Sequence, residues 1–189
     1  MIWALGFAAA ALIGWAVIAY NRFVGLRQRA EGAWADIDAQ LKRRHDLVPA
    51  LVETVKGYAA HERQTLQEVV ERRSGARQSP SGVLPDAARV GSENLLSHSL
   101  KHLFALAEAY PDLRASDRFR GLQEQLIAIE DQLQLARRYF NAVVRDWNTA
   151  VQRFPDVVVA RVSGFAVRDF FELDSVLERD VVAIDLDAS

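Results

Sequence analysis

No side chain between Met1 and Tyr20 carries a charge, and the run from Ile2 to Ala19 includes Trp3, Leu5, Phe7, Leu12, Ile13, Trp15, Val17 and Ile18. At about 1.5 Å per helical residue, such a run covers about 30 Å, the hydrocarbon thickness of a bilayer. Residues 1–20 are therefore expected to form a transmembrane anchor, with Trp3 and Tyr20 where interfacial aromatics belong. Arg22, Arg27 and Arg29 follow closely and no charged side chain precedes, so the positive-inside bias places the N-terminus outside and the rest of the chain in the cytoplasm. A cleaved signal peptide, with Val17-Ile18-Ala19 as its cleavage site, would need the basic n-region that is missing. Gly6, Ala10 and Gly14 recur every four residues, a small-residue face that admits a second helix, whether a copy of this chain (a homo-oligomer) or a partner's.

Half of the 189 residues are hydrophobic, a quarter are charged and the formal net charge is −2, with no cysteine. That balance fits one domain plus an anchor and argues against a disordered chain or a basic nucleic-acid binder. Disulfides, thiolate metal sites and cysteine nucleophiles are excluded.

Beyond the anchor, apolar residues step by threes and fours. Phe23, Leu26, Ala30, Ala33/Trp34, Ile37 and Leu41 mark one helical stripe. Asp46 and Pro49 are expected to end that helix, and Leu51, Val55, Tyr58, Leu66 and Val69 mark a second. Ser74 to Pro85 reads as a breaker-rich loop. Leu96, Leu100, Leu103, Ala107 and Tyr110 form a third stripe that Pro111 stops. Ser116 then offers an N-cap to the longest helix, with its seam at Leu122, Leu126, Ile129, Leu133, Ala136, Phe140, Val143, Trp147, Val151 and Phe154. The predicted fold class is all-α: an N-terminal transmembrane helix followed by an elongated antiparallel four-helix bundle over residues 21–155. The tail, 156–189, is expected to be partly docked, with a short helix near Val157 to Phe165, an extended segment laying its phenylalanines on the bundle and a loose end.

No catalytic signature is complete. His61-Glu62-Arg63-Gln64-Thr65 lacks the second histidine of a zincin helix, and no histidine has the glutamate three residues earlier that a di-iron bundle needs. His98 and His102 share a helical face without a third ligand. Neither a P-loop nor a Gly-x-Ser-x-Gly elbow is present, so no catalytic residue, metal or cofactor is expected. Lys42-Arg43-Arg44 lies about 30 Å along a helix from the membrane and reads as a solvated or paired face. Arg22, Arg27 and Arg29 are the membrane-proximal basic group. Arg137, beside the apolar seam, needs a carboxylate partner, for which Glu62, Glu108 and Glu130 are candidates. Such a set would act as a register-setting network or as a recognition groove.

Several motifs together resemble the LemA family of bacterial membrane-anchored helical proteins. They include Tyr20-Asn21, Ala33-Trp34-Ala35-Asp36-Ile37-Asp38, Gln40-Leu41-Lys42-Arg43-Arg44, Asp46-Leu47-Val48-Pro49 and Val52-Glu53-Thr54-Val55-Lys56-Gly57-Tyr58 with His61-Glu62. Downstream stand Leu106-Ala107-Glu108-Ala109-Tyr110-Pro111-Asp112-Leu113, Leu122-Gln123, Glu130, Ala136-Arg137-Arg138-Tyr139 with Asn141, then Asn148, Phe154-Pro155 and Gly164-Phe165. Phe140 and Ser116 depart from the tyrosine and asparagine usual there. The resemblance implies a four-helix bundle on a single-pass anchor in the bacterial inner membrane, with the bundle cytoplasmic and no catalytic activity. Some relatives occur beside membrane metalloproteases or help build specialised membranes. The expected function is a non-enzymatic membrane-tethered scaffold or adaptor for other membrane proteins, a membrane protease among them. The alternatives are a metal-dependent hydrolase built across the helices on His61, His98 and His102, and a lipid-binding membrane-remodelling factor.

Overall fold

In a computed structural model, residues 2–78, 84, 86–172 and 176 are described. They form six helices, α1 (Ile2–Lys56), α2 (Arg63–Gln78), α3 (Ala87–Glu108), α4 (Pro111–Ala115), α5 (Asp117–Gln152) and α6 (Asp156–Val162), and no strand is found among them. The protein is all-α. Two compact units divide it: one takes α1 up to Lys42 and the chain from Gln132 to Glu172, the other takes Arg43 to the end of α2, Ala88 to Asp131 and Val176. Helices α1 and α5 contribute to both.

In the second unit four helices meet. Val48, Leu51 and Val55 of α1, Val69 of α2, Leu96, Leu100 and Leu103 of α3 and Leu126 of α5 are buried together, and Leu113 of the short α4 joins them. Each such side chain contributes about 1.5–3 kcal/mol by leaving water, which is why amphipathic stripes too weak to hold as isolated helices close on one another. Ser116 Oγ lies 3.5 Å from the Phe119 amide at the start of α5, as its N-cap position requires.

In the first unit Ala19, Phe23 and Leu26 of α1 pack on Trp147, Ala150 and Val151 of α5 and on Val159 and Ala160 of α6. Farther along, Trp34 meets Phe140 at a tilt and Phe171 edge-on. The N-terminal part of α1 is long and apolar enough to cross a membrane, and almost all of it is exposed.

The structure corrects the sequence reading at several points. Helix α1 does not end near Pro49 but runs through it to Lys56. Proline lacks the amide that would bond the carbonyl four residues back, at His45, and Arg73 Nε of α2 donates to that carbonyl at 2.7 Å. The break falls instead after Lys56, where Tyr58 N bonds back three residues to Val55 O and the turn tightens. Tyr58 is thereby turned outward. Helix α2 continues through Ser74 and Gly75 to Gln78, so the expected loop is shorter, and its residues 79–83 and 85 lie outside the described residues. The seam of α5 passes through Glu130, which is buried, rather than Ile129, which is half-buried, and Phe154 at its end is 79% exposed. The acidic stretch and the end of the tail, apart from Val176, also fall outside the described residues.

Candidate functional site: a buried charge network

Arg44 lies where α1's apolar stripe would place a hydrophobic residue. The steps Ile37, Leu41, Arg44, Val48, Leu51 and Val55 are four, three, four, three and four, and all six side chains are buried. Lys42 and Arg43, two residues and one residue earlier, point outward, so the basic run is a solvated face for two residues and a core position for the third. The solvated or paired face expected of Lys42-Arg43-Arg44 thus divides: the three residues turn by about 100° each, and only Arg44, paired as it is, falls in phase with the core.

The same phase governs the partners. On α3, Arg89, Glu93, Leu96, Leu100, Leu103 and Ala107 form one buried stripe, and on α5 Glu130 follows Leu126 by four. Arg44 Nη2 bonds Glu93 Oε2, while its Nη1 donates to Glu130 Oε1 at 3.2 Å and to Ser97 Oγ at 3.0 Å. His45 Nε2 stands astride the Glu93 carboxylate, 3.1 Å from Oε1 and 3.2 Å from Oε2. Arg44 and Glu93 are 0% exposed, Glu130 2% and His45 3%. Burial by itself would raise the Glu93 carboxyl, but the His45 hydrogen bond and the adjacent Arg44 charge outweigh it and hold the group below the ordinary carboxylate range. A carboxyl held below its ordinary range and 0% exposed is poorly placed to exchange protons with a substrate. Among the described residues no group of three or more His, Cys, Asp or Glu side chains is arranged to hold a metal ion.

Of the residues singled out from the sequence, Glu130 enters this network and pairs with Arg44. Arg137 is half-buried on α5 and donates to Gln134 Oε1 at 3.3 Å. Glu62 accepts from the Tyr110 hydroxyl at 3.3 Å, and Glu108 is exposed. Arg22, Arg27 and Arg29 are all exposed, and Arg22 pairs with Asp156 at 3.1 Å and Arg27 with Glu31 at 2.8 Å. Gly6, Ala10 and Gly14 are exposed, and a methyl group added at Gly6 or Gly14 would touch nothing. The rings of His98 and His102 meet edge-on, 4.4 Å apart, on the exposed side of α3, and His61 is exposed elsewhere in the same unit.

A second polar arrangement lies in the other unit, which sequence reasoning did not find. Asn148 accepts from the Arg168 amide at 2.8 Å and donates to the Arg168 carbonyl at 2.9 Å. Asn141 does the same for Phe171, at 2.9 and 3.0 Å. The two asparagines are seven helical residues apart, about 10.5 Å, and the two tail residues three extended residues apart, about 10 Å, so the spacings match. Two residues before Arg168, Ala166 O accepts from Trp147 Nε1 at 2.7 Å, and the Arg168 guanidinium lies 4.2 Å over the Trp147 ring. The extended tail satisfies its backbone on side chains as a strand would on a neighbouring strand.

Residues 33–186 match the LemA family. The chain is similar to Magnetosome protein MamQ of Magnetospirillum gryphiswaldense, 23% identical over 174 residues that cover 80% of this chain and 64% of that one. It is also similar to Magnetosome protein MamQ 2 of Paramagnetospirillum magneticum, 21% identical over 184 residues that cover 86% and 68% of the two. The chain thus spans about two thirds of the length of these relatives, and less than that of the first.

Proposed function

Because the chain belongs to the LemA family, we propose that it is a non-enzymatic, membrane-tethered helical scaffold or adaptor that holds other membrane proteins at the cytoplasmic face of a bacterial inner membrane. The observation that carries this reading is the closure of the charge network. Its four ionisable side chains are engaged with one another, and none is exposed by more than a few per cent, so the most chemically conspicuous cluster in the second unit offers nothing for a substrate to reach. A network of that kind acts as a register device, fixing which turn of α1 faces which turn of α3 and α5. The relatives are magnetosome proteins by name, and a role in organising a specialised membrane is the corresponding proposal for this chain.

Partners are engaged on two faces. Within the membrane, the groove along Gly6, Ala10 and Gly14 takes a second helix, from another copy or from a membrane protein such as a protease. Outside it, exposed apolar side chains such as Val70 and Leu95 offer contact points. Photo-crosslinkable residues placed singly at Ala10, Val70 and Leu95 test the reading in intact membranes. Discrete protein adducts are expected. A metal bound one-to-one by the purified full chain, lost together with a hydrolytic activity in a His98→Ala, His102→Ala variant, would overturn it.

A further inference from the structure

Helix α6 has two unlike faces. Val159 and Ala160 are buried against Ala19 and Phe23 of α1, with Trp15 and Ala16 half-buried at the same contact. On the other side Val158 and Val162, four residues apart, are 51% and 85% exposed, and Phe154, two residues before the helix, is 79% exposed. A groove of about 460 Å³ separates Ile13, Val17 and Tyr20 of α1 from Val158 and Val162, so the exposed apolar face of α6 continues the outer surface of the apolar run. Trp15 to Tyr20 are the last turn and a half of that run, about 8 Å of helix, which is the depth to which an interfacial helix sinks into the headgroup and acyl boundary.

The charges agree. The one acidic residue of α6, Asp156, is buried against Arg22, while Arg153 and Arg161 are exposed. An apolar ridge flanked by exposed arginines and stripped of exposed carboxylates suits anionic lipid headgroups above and acyl chains below.

We propose that Phe154 and α6 form a membrane-docking element that lies in the bilayer interface beside the anchor, with Phe154, Val158 and Val162 in the acyl boundary and Arg153 and Arg161 at the phosphates. The proposal rests on the reading that residues 2–19 span the membrane. It adds a second membrane contact, which fixes the tilt and rotation of the first unit against the bilayer.

The absence of cysteine makes the test direct. Single cysteines replace Val158, Val162, Ala10 or Leu135 in the full chain, and each carries a polarity-sensitive fluorophore in vesicles of phosphatidylethanolamine and phosphatidylglycerol. Leu135 is the control, comparably exposed on α5 at about 28 Å of helix from Phe154. Lipids spin-labelled near the headgroup should quench the fluorophore at Val158 and Val162 several-fold more than at Leu135, and deep labels should quench it at Ala10. Quenching at Ala10 without quenching at Val158 and Val162 overturns the docking of α6 and leaves the span intact. No quenching at Ala10 removes the span and the proposal together. Shielding of Val158 and Val162 from an aqueous quencher, without quenching by lipid, places a second copy of the chain on this face and also overturns the proposal.

Discussion

Arg44 brings a full charge into a position built for a leucine, and isolated charges are not tolerated there. What holds it is the pair of carboxylates, Glu93 and Glu130, with Ser97 and His45 completing the set. Arg44→Met alone should therefore cost about 3–5 kcal/mol in chemical denaturation, because two buried carboxylates lose their counter-charge, whereas Arg44→Met with Glu93→Leu and Glu130→Leu should recover most of that. The sign of the acid response follows from Glu93. Its carboxyl is held below the ordinary value of 4.5, so the stability it contributes is fully present above that value and is lost as pH falls through the lower native one. Unfolding midpoints measured from about pH 7 down to about pH 3 should fall more steeply for the native chain than for Glu93→Gln. Trp147, 2% exposed and bonded to Ala166, should cost about 3–5 kcal/mol when replaced by alanine; a loss below about 1 kcal/mol would show that its ring faces water. The residues of the network were partly legible. The sequence offers Glu130 only as one of three candidate partners for a half-buried Arg137, whereas Glu130 pairs with Arg44, and the signal for Arg44 lies in carrying the stripe of Ile37 and Leu41 three residues further rather than grouping it with Lys42 and Arg43 by charge. Glu93 carries the same signal on α3, one turn before Leu96, hidden because hydrophobic periodicity counts only apolar residues.

At the scale of elements, apolar spacing carried helix identity and Ser116 marked the start of α5, but Pro49 misled. Pro49 reads as a helix start from local chemistry, yet a proline inside a helix is tolerated when another group takes the orphaned carbonyl, and that group, Arg73, stands 28 residues beyond His45. Tertiary compensation of this kind has no local trace. A double-mutant cycle measures it: Arg73→Ala should destabilise the native chain by about 0.5–1.5 kcal/mol and matter less in Pro49→Ala, where the substituted residue supplies the amide itself. The tail shows the opposite case. A short helix followed by phenylalanines laid on the bundle is what the composition suggests, and α6 with the buried Phe171 has that form, but the asparagine clamp escapes a search for apolar stripes because Asn141 and Asn148 look like ordinary polar positions of α5. Asn148→Leu should abolish hydrogen-exchange protection of the Arg168 amide while leaving the amides of α2 and α3 unchanged; continued protection at Arg168 would mean that the backbone is held by the Trp147 contacts alone.

For the molecule as a whole, function turns on which side of the membrane the helices occupy, and the charges around the apolar run supply the argument. The positive-inside bias counts lysines and arginines near the span rather than net charge, so the pairing of Arg22 with Asp156 and of Arg27 with Glu31 does not weaken it. Arg22, Arg27 and Arg29 follow the span within about 15 Å of helix. The proposed arrangement has Ile2 outside and α2 to α6 on the cytoplasmic side, α6 at the bilayer interface. Arg77 is exposed near the end of α2 and accepts a cysteine without loss of a core contact. In intact cells Arg77→Cys should resist a membrane-impermeant thiol reagent and react fully once the membrane is permeabilised, whereas Ile2→Cys should react in both conditions. Labelling of Arg77→Cys in intact cells would turn the molecule over. The proposed scaffold would then face the outside, its partners would have to be sought there, and Arg153 and Arg161 would meet the outer leaflet instead of the anionic cytoplasmic one.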